Sequence, residues 1–248
     1  MPVTDERFER SRALLGDAAF SRLANAHIAV FGVGGVGSWC AEALLRTGVH
    51  RLTLIDDDLV AASNVNRQRQ ARPDTVDRPK VEVLRDQLLE IVPEVQITAR
   101  TERYTPQNAA SFEALINSAD VIIDAIDSVD CKAQLMVHCA ERTDSAGQAA
   151  PARRATPILL SSLGAALRTD PTRIRTAPFH KVAGDGLARA LRNRFRKMNL
   201  PLPKHLCVYS EEPPAKHPER VKGSIMPVTC AFGMALASLA IRHLAEPT

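Results

Sequence analysis

The sequence predicts an α/β fold, a Rossmann-like, mostly parallel, doubly wound sheet with a basic C-terminal extension. Short apolar runs alternate with helically periodic segments, the pattern of parallel strands joined by crossover helices. A GVGGVG run lies between the first such strand and the first such crossover helix. Asp56 then ends the second strand, 22 residues beyond Gly34, as in nucleotide-binding sheets.

Residues 7–24 have helical spacing and are expected as one helix. His27–Phe31 is a short apolar run cut off by Gly32, the first buried strand. Gly37 leads into a helix through Trp39, Cys40, Ala43, Leu44 and Leu45, closed by Gly48; Arg51–Ile55 then resumes strand character and completes a β-α-β unit. Pro79 opens a helix through Val81, Val83, Leu84, Leu88, Leu89 and Ile91, ended by Pro93, and residues 95–98 supply the next strand. A helix within 106–117, a strand at 121–123, a helix over 129–141 and a strand at 158–160 continue the alternation. Between the last two, residues 143–156 are rich in Ala, Pro, Gly and polar side chains, and are expected as a mobile surface loop. Further on, the pattern gives a strand at 173–176, a basic helix at 187–198, a strand at 206–209 and a closing helix at 229–244. The expected organisation is an N-terminal helix and nucleotide-binding region over 1–165, with 166–248 a basic, substrate-binding region packed on the same core.

Of 248 residues, 45% are apolar and 24% charged, enough to bury a sizeable core, which excludes a disordered or fibrous chain. The longest apolar stretch, residues 230–241, is well short of the roughly 20 that a spanning helix needs, so a buried helix and no membrane are expected. Five cysteines (Cys40, Cys131, Cys139, Cys207 and Cys230) form no CxxC pair and follow no secretory leader, so the cytoplasm is the expected location. The formal charge is +4, yet residues 168–222 hold 13 Arg/Lys against 5 Asp/Glu, leaving 19 against 23 elsewhere. That separation makes nucleic acid a candidate partner, although an arginine-rich solvated surface accounts for the same charge.

The nucleotide site is expected at the strand ends. Gly32, Gly34 and Gly37, with Gly35 between them, let a phosphate approach backbone N–H groups, and the Asp56 carboxylate is placed to accept ribose hydroxyls. Hydride transfer needs no cluster such as SNVNRQR, which supplies Asn64, Asn66, Arg67 and Arg69. Adenylation does: carboxylate attack on an ATP α-phosphate builds negative charge that arginine, lysine, amide and Mg²⁺ groups stabilise. Arg67 is the first electrostatic candidate, with a surface ion pair to Asp57 or Asp58 as its competing role. Lys80 at a helix start opposes the helix dipole unless a polyphosphate binds there. Asp127 is the preferred Mg²⁺ and phosphate residue and Asp124 the residue that shapes its turn, against simple helix capping by Asp127 or Ser128. Arg10 reaches phosphates only if its helix folds over the pocket.

Together GVGGVGSWCAEALLRTGVHRLTLIDDD, SNVNRQ, DRPK and DAIDSVDCK resemble the ThiF, MoeB and HesA superfamily of E1-like activating enzymes, whose general chemistry is carboxylate adenylation. RFERSRALLG, GSWCAEAL, LCVYSEEP and GSIMPVTCAFGMALAS resemble more narrowly its tRNA threonylcarbamoyladenosine dehydratase (TcdA/CsdL) branch, over nearly the whole chain. The resemblance implies the E1-like adenylating fold, ATP and Mg²⁺ as cofactors, and tRNA carrying N6-threonylcarbamoyladenosine as substrate. It further implies a homodimer, and leaves a sulphur-transfer or redox protein open as another partner. Residue by residue it implies Arg10 and Arg67 at phosphates, Lys80 at the triphosphate, Asp56 at ribose, Asn64 in the nucleotide pocket, and Asp127 at Mg²⁺ and the reacting phosphate. Arg189, Arg192, Arg194, Arg196 and Lys197 are the candidates for anticodon-stem phosphates.

Two departures bear on substrate presentation. Residues 143–156 read as an added loop, and SSLGAA stands where a TTGGAGG-like sequence is expected. Cys207 resembles the branch's cysteine-bearing segment, but a buried, inert thiol is the preferred reading, with His205 expected to face away and Tyr209 to share its face. The alternatives are adenylation of a ubiquitin-like sulphur carrier and a non-enzymatic nucleotide-sensing RNA adaptor.

Overall fold

Alternate residues of His27–Phe31 (β1) serve opposite faces of the sheet: Ile28 and Val30 join one hydrophobic cluster, Ala29 and Phe31 the other. A strand buried on both faces must be a continuous apolar run, which is why HIAVF reads as one. The computed structural model describes residues 5–145, 157–216 and 222–246. The other strands are Arg51–Ile55 (β2), Gln96–Arg100 (β3), Val121–Asp124 (β4), Ile158–Ser162 (β5), Ile174–Pro178 (β6) and Leu206–Ser210 (β7). They form one seven-stranded sheet in the order β3-β2-β1-β4-β5-β7-β6, parallel except for the β6–β7 pair.

The helices are Glu9–Leu15 (α1), Asp17–Asn25 (α2), Gly37–Thr47 (α3), Lys80–Ile91 (α4), Glu113–Ser118 (α5), Val129–Ser145 (α6), Gly186–Lys197 (α7) and Met226–Ala245 (α8). One face of the sheet packs against apolar residues of α3, α4 and α8, among them Leu44, Leu84 and Phe232; the other packs against α5, α6 and α7, through Ile116, Met136 and Phe195. The α8 helix is long and apolar enough to cross a membrane by length and composition. Its Val228, Phe232, Leu236 and Ala240 are buried in the first cluster, so it serves as a core helix.

Two expectations need correction. Residues 7–24 are not one helix: a single 3-10 turn precedes α1, and Gly16 at φ 81° separates α1 from α2. That backbone conformation suits glycine and ends a right-handed helix. The helix expected within 106–117 is present as α5, directly preceded by the 3-10 segment Ala109–Phe112. Of the loop expected over 143–156, residues 143–145 are instead the end of α6, and residues 146–156 lie outside the described residues.

Candidate active site

The strand order reverses between β1 and β4, so the crevice beyond their carboxyl ends is where a doubly wound sheet binds ligands. A cavity of about 790 Å³ opens there. Its floor is the glycine turn after β1. Gly32 has φ 87°, and a Cβ on it would meet the Ala125 carbonyl oxygen at 2.7 Å; a Cβ on Gly37 would lie 1.9 Å from the Gly32 carbonyl oxygen. These two glycines let the turns after β1 and β4 close on each other. Gly34 differs, since its nearest neighbour would be the Gln68 side-chain nitrogen at 3.8 Å, so its missing side chain leaves open space in the cavity.

Asp56 at the end of β2 accepts the Val33 N–H at 2.8 Å and the Asp58 N–H at 2.9 Å, one on each carboxylate oxygen. Burial is the largest influence on this carboxyl and pushes its pKa up from the ordinary value; the Lys80 charge and the two backbone bonds oppose the shift. Asn64, buried in the loop after β2, accepts the Ala61 N–H at 3.1 Å and lines the cavity. Lys80, almost fully enclosed at the start of α4, reaches Asp58 with its Nζ at 2.6 Å. Arg67 does not form the surface ion pair with Asp57 or Asp58 that competed for it: its guanidinium donates to the Ser63 carbonyl and the Asn66 side-chain oxygen, both at 2.9 Å. Among the described residues its partners are thus neutral oxygens, and a cation so held in a cavity suits an incoming anion. Arg69, by contrast, is engaged by Glu42 and Gln87 away from the cavity.

Asp127 is exposed on the turn between β4 and α6 and lines the same cavity as Arg67, Lys80 and Asp56. Asp124 is fully buried beneath it. Its carboxylate accepts Lys132 Nζ at 2.8 Å, the Ser161 hydroxyl at 2.8 Å and the Ile126 N–H at 3.2 Å. The sheet register sets Asp124 beside Ser161 and Ser161 beside Cys207, which lines up groups from three strands.

Arg10 does not join the others. Its helix is anchored at the opposite end of the sheet, where the Phe8 ring meets His50 just before β2 with centroids 5.3 Å apart and Arg7 pairs with Glu94 at 2.9 Å just before β3. Arg10 is exposed there, outside the cavity lining.

The expectation for His205 is also overturned: its Nε2 lies 3.6 Å from Cys207 Sγ and 2.9 Å from Ser161 Oγ. Residues two apart along an extended chain share a face, so His205 points with Cys207 rather than away from it. The pair is not an activated nucleophile and base. Burial pushes the Cys207 thiol up to about 12, and burial, then the Lys132 charge, pulls His205 down to about 3. Tyr209 does share the Cys207 face.

The basic helix α7 divides in two. Arg192 donates to the Phe179 and Val182 carbonyls, and Arg194 Nε lies 2.8 Å from Asp130 without hydrogen-bond alignment. Arg189, Arg196 and Lys197 are exposed. Arg168 is enclosed, paired with Asp185 at 3.3 Å and bonded to the Gly164, Ala166 and Glu212 carbonyls, so it braces the loop after β5.

Sequence reasoning passed over Lys132, Ser161, Arg103 and Tyr104. The last two follow the carboxyl end of β3 and line the cavity, so position past a strand end was the available signal. Lys132 and Ser161 carried none, because their partner lies on another element.

The ThiF family model matches residues 8–247. The tRNA threonylcarbamoyladenosine dehydratase of Escherichia coli (strain K12) is 40% identical over 191 residues, 77% of this chain and 66% of that protein. That of Bacillus subtilis (strain 168) is 35% identical over 219 residues, 88% of this chain and 80% of that protein. The crystal structure of the E. coli enzyme TcdA in complex with ATP superposes with a TM-score of 0.86 at 34% identity, covering 98% of this chain and 97% of that one. A seven-stranded sheet of this order, a glycine turn facing a charged crevice and likeness over nearly the whole chain lead to one assignment: the chain belongs to the ThiF family, in its tRNA threonylcarbamoyladenosine dehydratase branch.

Proposed function

We propose that the protein is an ATP-dependent tRNA threonylcarbamoyladenosine dehydratase, which converts N6-threonylcarbamoyladenosine in the anticodon loop to its cyclic form. The observation that carries this reading is the single cavity holding the glycine turn, Asp56, Arg67, Lys80 and Asp127 in a chain that matches ATP-bound TcdA end to end.

A threonyl carboxylate oxygen attacks the α-phosphorus of ATP, the bond to the bridging oxygen breaks, and pyrophosphate leaves. The carbamoyl amide then attacks the activated acyl carbon, a proton is lost and AMP departs, so one water is removed overall. Activation is needed because hydroxide is a poor leaving group, and ring closure is fast because the nucleophile is already attached. The open space at Gly34 and the cationic Arg67 and Lys80 suit a triphosphate, with Asp56 and Asn64 beside the nucleoside. Asp127 is the carboxylate that would hold Mg²⁺, which when bound would supply charge neutralisation at the phosphates.

Arg10 is outside the cavity lining of its own chain, so we assign a phosphate role for it to the cavity of a second copy, in keeping with a homodimer. The exposed Arg189, Arg196 and Lys197 are the α7 residues left to meet tRNA phosphates, because Arg192 and Arg194 are engaged within the protein.

The test is nucleoside mass spectrometry of modified tRNA after incubation with ATP, Mg²⁺ and the protein. Loss of one water with AMP release is expected. Pyrophosphate exchange that depends on a sulphur-carrier protein and needs no tRNA would replace this reading, and nucleotide binding without AMP release would leave an RNA adaptor.

A further inference from the structure

The lining of the cavity mixes charged side chains, among them Arg67, Lys80 and Asp127, with apolar ones, among them Ala165, Ala166, Leu167, Leu187 and Pro214. Leu167 is the anomaly in it. Its φ is 62°, in the left-handed region, and the other non-glycine residues there among those described are Asp77 and Asn199. Short polar side chains tolerate that conformation; a leucine is strained in it.

The backbone of Leu167 is held from both sides. Its N–H donates to the Gly223 carbonyl at 2.8 Å and its carbonyl accepts the Ala215 N–H at 2.7 Å, while the neighbouring Arg168 is braced by Asp185. These bonds impose the conformation whatever the side chain, and glycine or asparagine would adopt it with less strain. Packing does not call for leucine either: it is half-buried and belongs to neither hydrophobic cluster covering the sheet. A bulky apolar side chain that is strained, unused by the core and facing the reactive cavity is placed for a ligand.

We propose that Leu167 is a specificity-determining residue whose side chain seats the methyl group of the threonyl substrate. The inference rests on the dehydratase reading. A substrate carboxylate directed at the α-phosphate is drawn to the cations of the lining, Arg67 and Lys80, which leaves the methyl of the threonyl group to an apolar part of the same lining. There Leu167 offers an apolar surface that a hydroxymethyl side chain fills less well.

The test compares initial rates on two tRNA substrates, bearing threonylcarbamoyl- or serylcarbamoyladenosine, for the wild-type chain, Leu167→Ala and Leu167→Asn. Wild type is expected to favour the threonyl substrate by about tenfold in kcat/KM, the worth of one buried methyl group. Both variants should bring that ratio to within about twofold by losing rate on the threonyl substrate alone, with the KM for ATP unchanged. Leu167→Asn should melt at or above the wild-type temperature, since it relieves the backbone. An unchanged ratio, or equal losses on both substrates, overturns the proposal while leaving the dehydratase reading intact. Failure of the wild-type chain to convert either substrate rejects both.

Discussion

Lys132 Nζ lies 2.8 Å from Asp124 Oδ1, and neither side chain has any solvent exposure. The ammonium also donates to the Asp124 carbonyl at 3.3 Å and the Ile126 carbonyl at 3.0 Å, which engages all three of its hydrogens. One lysine thereby fixes the turn that presents Asp127 to the cavity.

Breaking that pair from one side leaves a buried charge alone. Lys132→Met should cost about 3–5 kcal/mol in urea unfolding, and Lys132→Met with Asp124→Leu should cost less than Lys132→Met by itself. Equal or greater loss in the double variant would show that the stranded Asp124 charge is not what destabilises Lys132→Met.

The glycines of the turn separate fold from binding. Gly37→Ala drives a Cβ into the Gly32 carbonyl, backbone against backbone, and should lower Tm sharply or prevent folding. Gly34→Ala meets nothing closer than a flexible glutamine tip, so Tm should stay within a few degrees while ATP affinity falls, measured by calorimetry. Matching Tm losses in the two variants would remove the distinction.

These glycines show which parts of the molecule were legible in the sequence. The strands β1 and β2, the helix α3 and the acidic strand end were readable because their signals are local: an apolar run, a periodic face, a turn residue. Asp124 could be placed at a strand end, but Lys132 and Ser161 could not be joined to it, since they meet only when β4, β5 and α6 are assembled. The basic segment misled in the same way. Counting charge gave Arg168 the weight of a surface cation, whereas the fold encloses it against carbonyls and the Asp185 carboxylate. The break at Gly16 was missed because a single glycine inside a helical pattern is compatible with continuation.

Arg67 and Asp127 border the cavity from the loops after β2 and β4, and neither belongs to the hydrophobic core. Arg67→Ala and Asp127→Ala should therefore fold normally and lose about 10²–10³ in kcat for AMP release, the scale seen when one group stabilising transition-state charge is removed. Circular dichroism checks the fold and single-turnover assays the rate. Normal turnover by either variant would remove that residue from the chemistry.

His205 sets a limit on acid stability. Its ring is stacked parallel to Phe179 with centroids 6.2 Å apart, its Nε2 faces Ser161 and Cys207, and Lys132 and Asp124 are the charged groups on the same network. Its folded pKa of about 3 lies below the ordinary 6.5, because burial and then the Lys132 charge disfavour the imidazolium. Between those values the unfolded chain binds a proton that the folded chain refuses, so this contribution to stability is complete above pH 6.5 and is lost as pH falls toward 3. The loss is at most about 1.4 kcal/mol per pH unit in that window. Glutamine at this position keeps a donor for Ser161 and has nothing to titrate. His205→Gln should be less stable than wild type at pH 7.5, through the lost stack, yet decline more slowly between pH 6.5 and 4.5 in urea midpoints. Parallel decline of the two proteins would assign the acid sensitivity to another group.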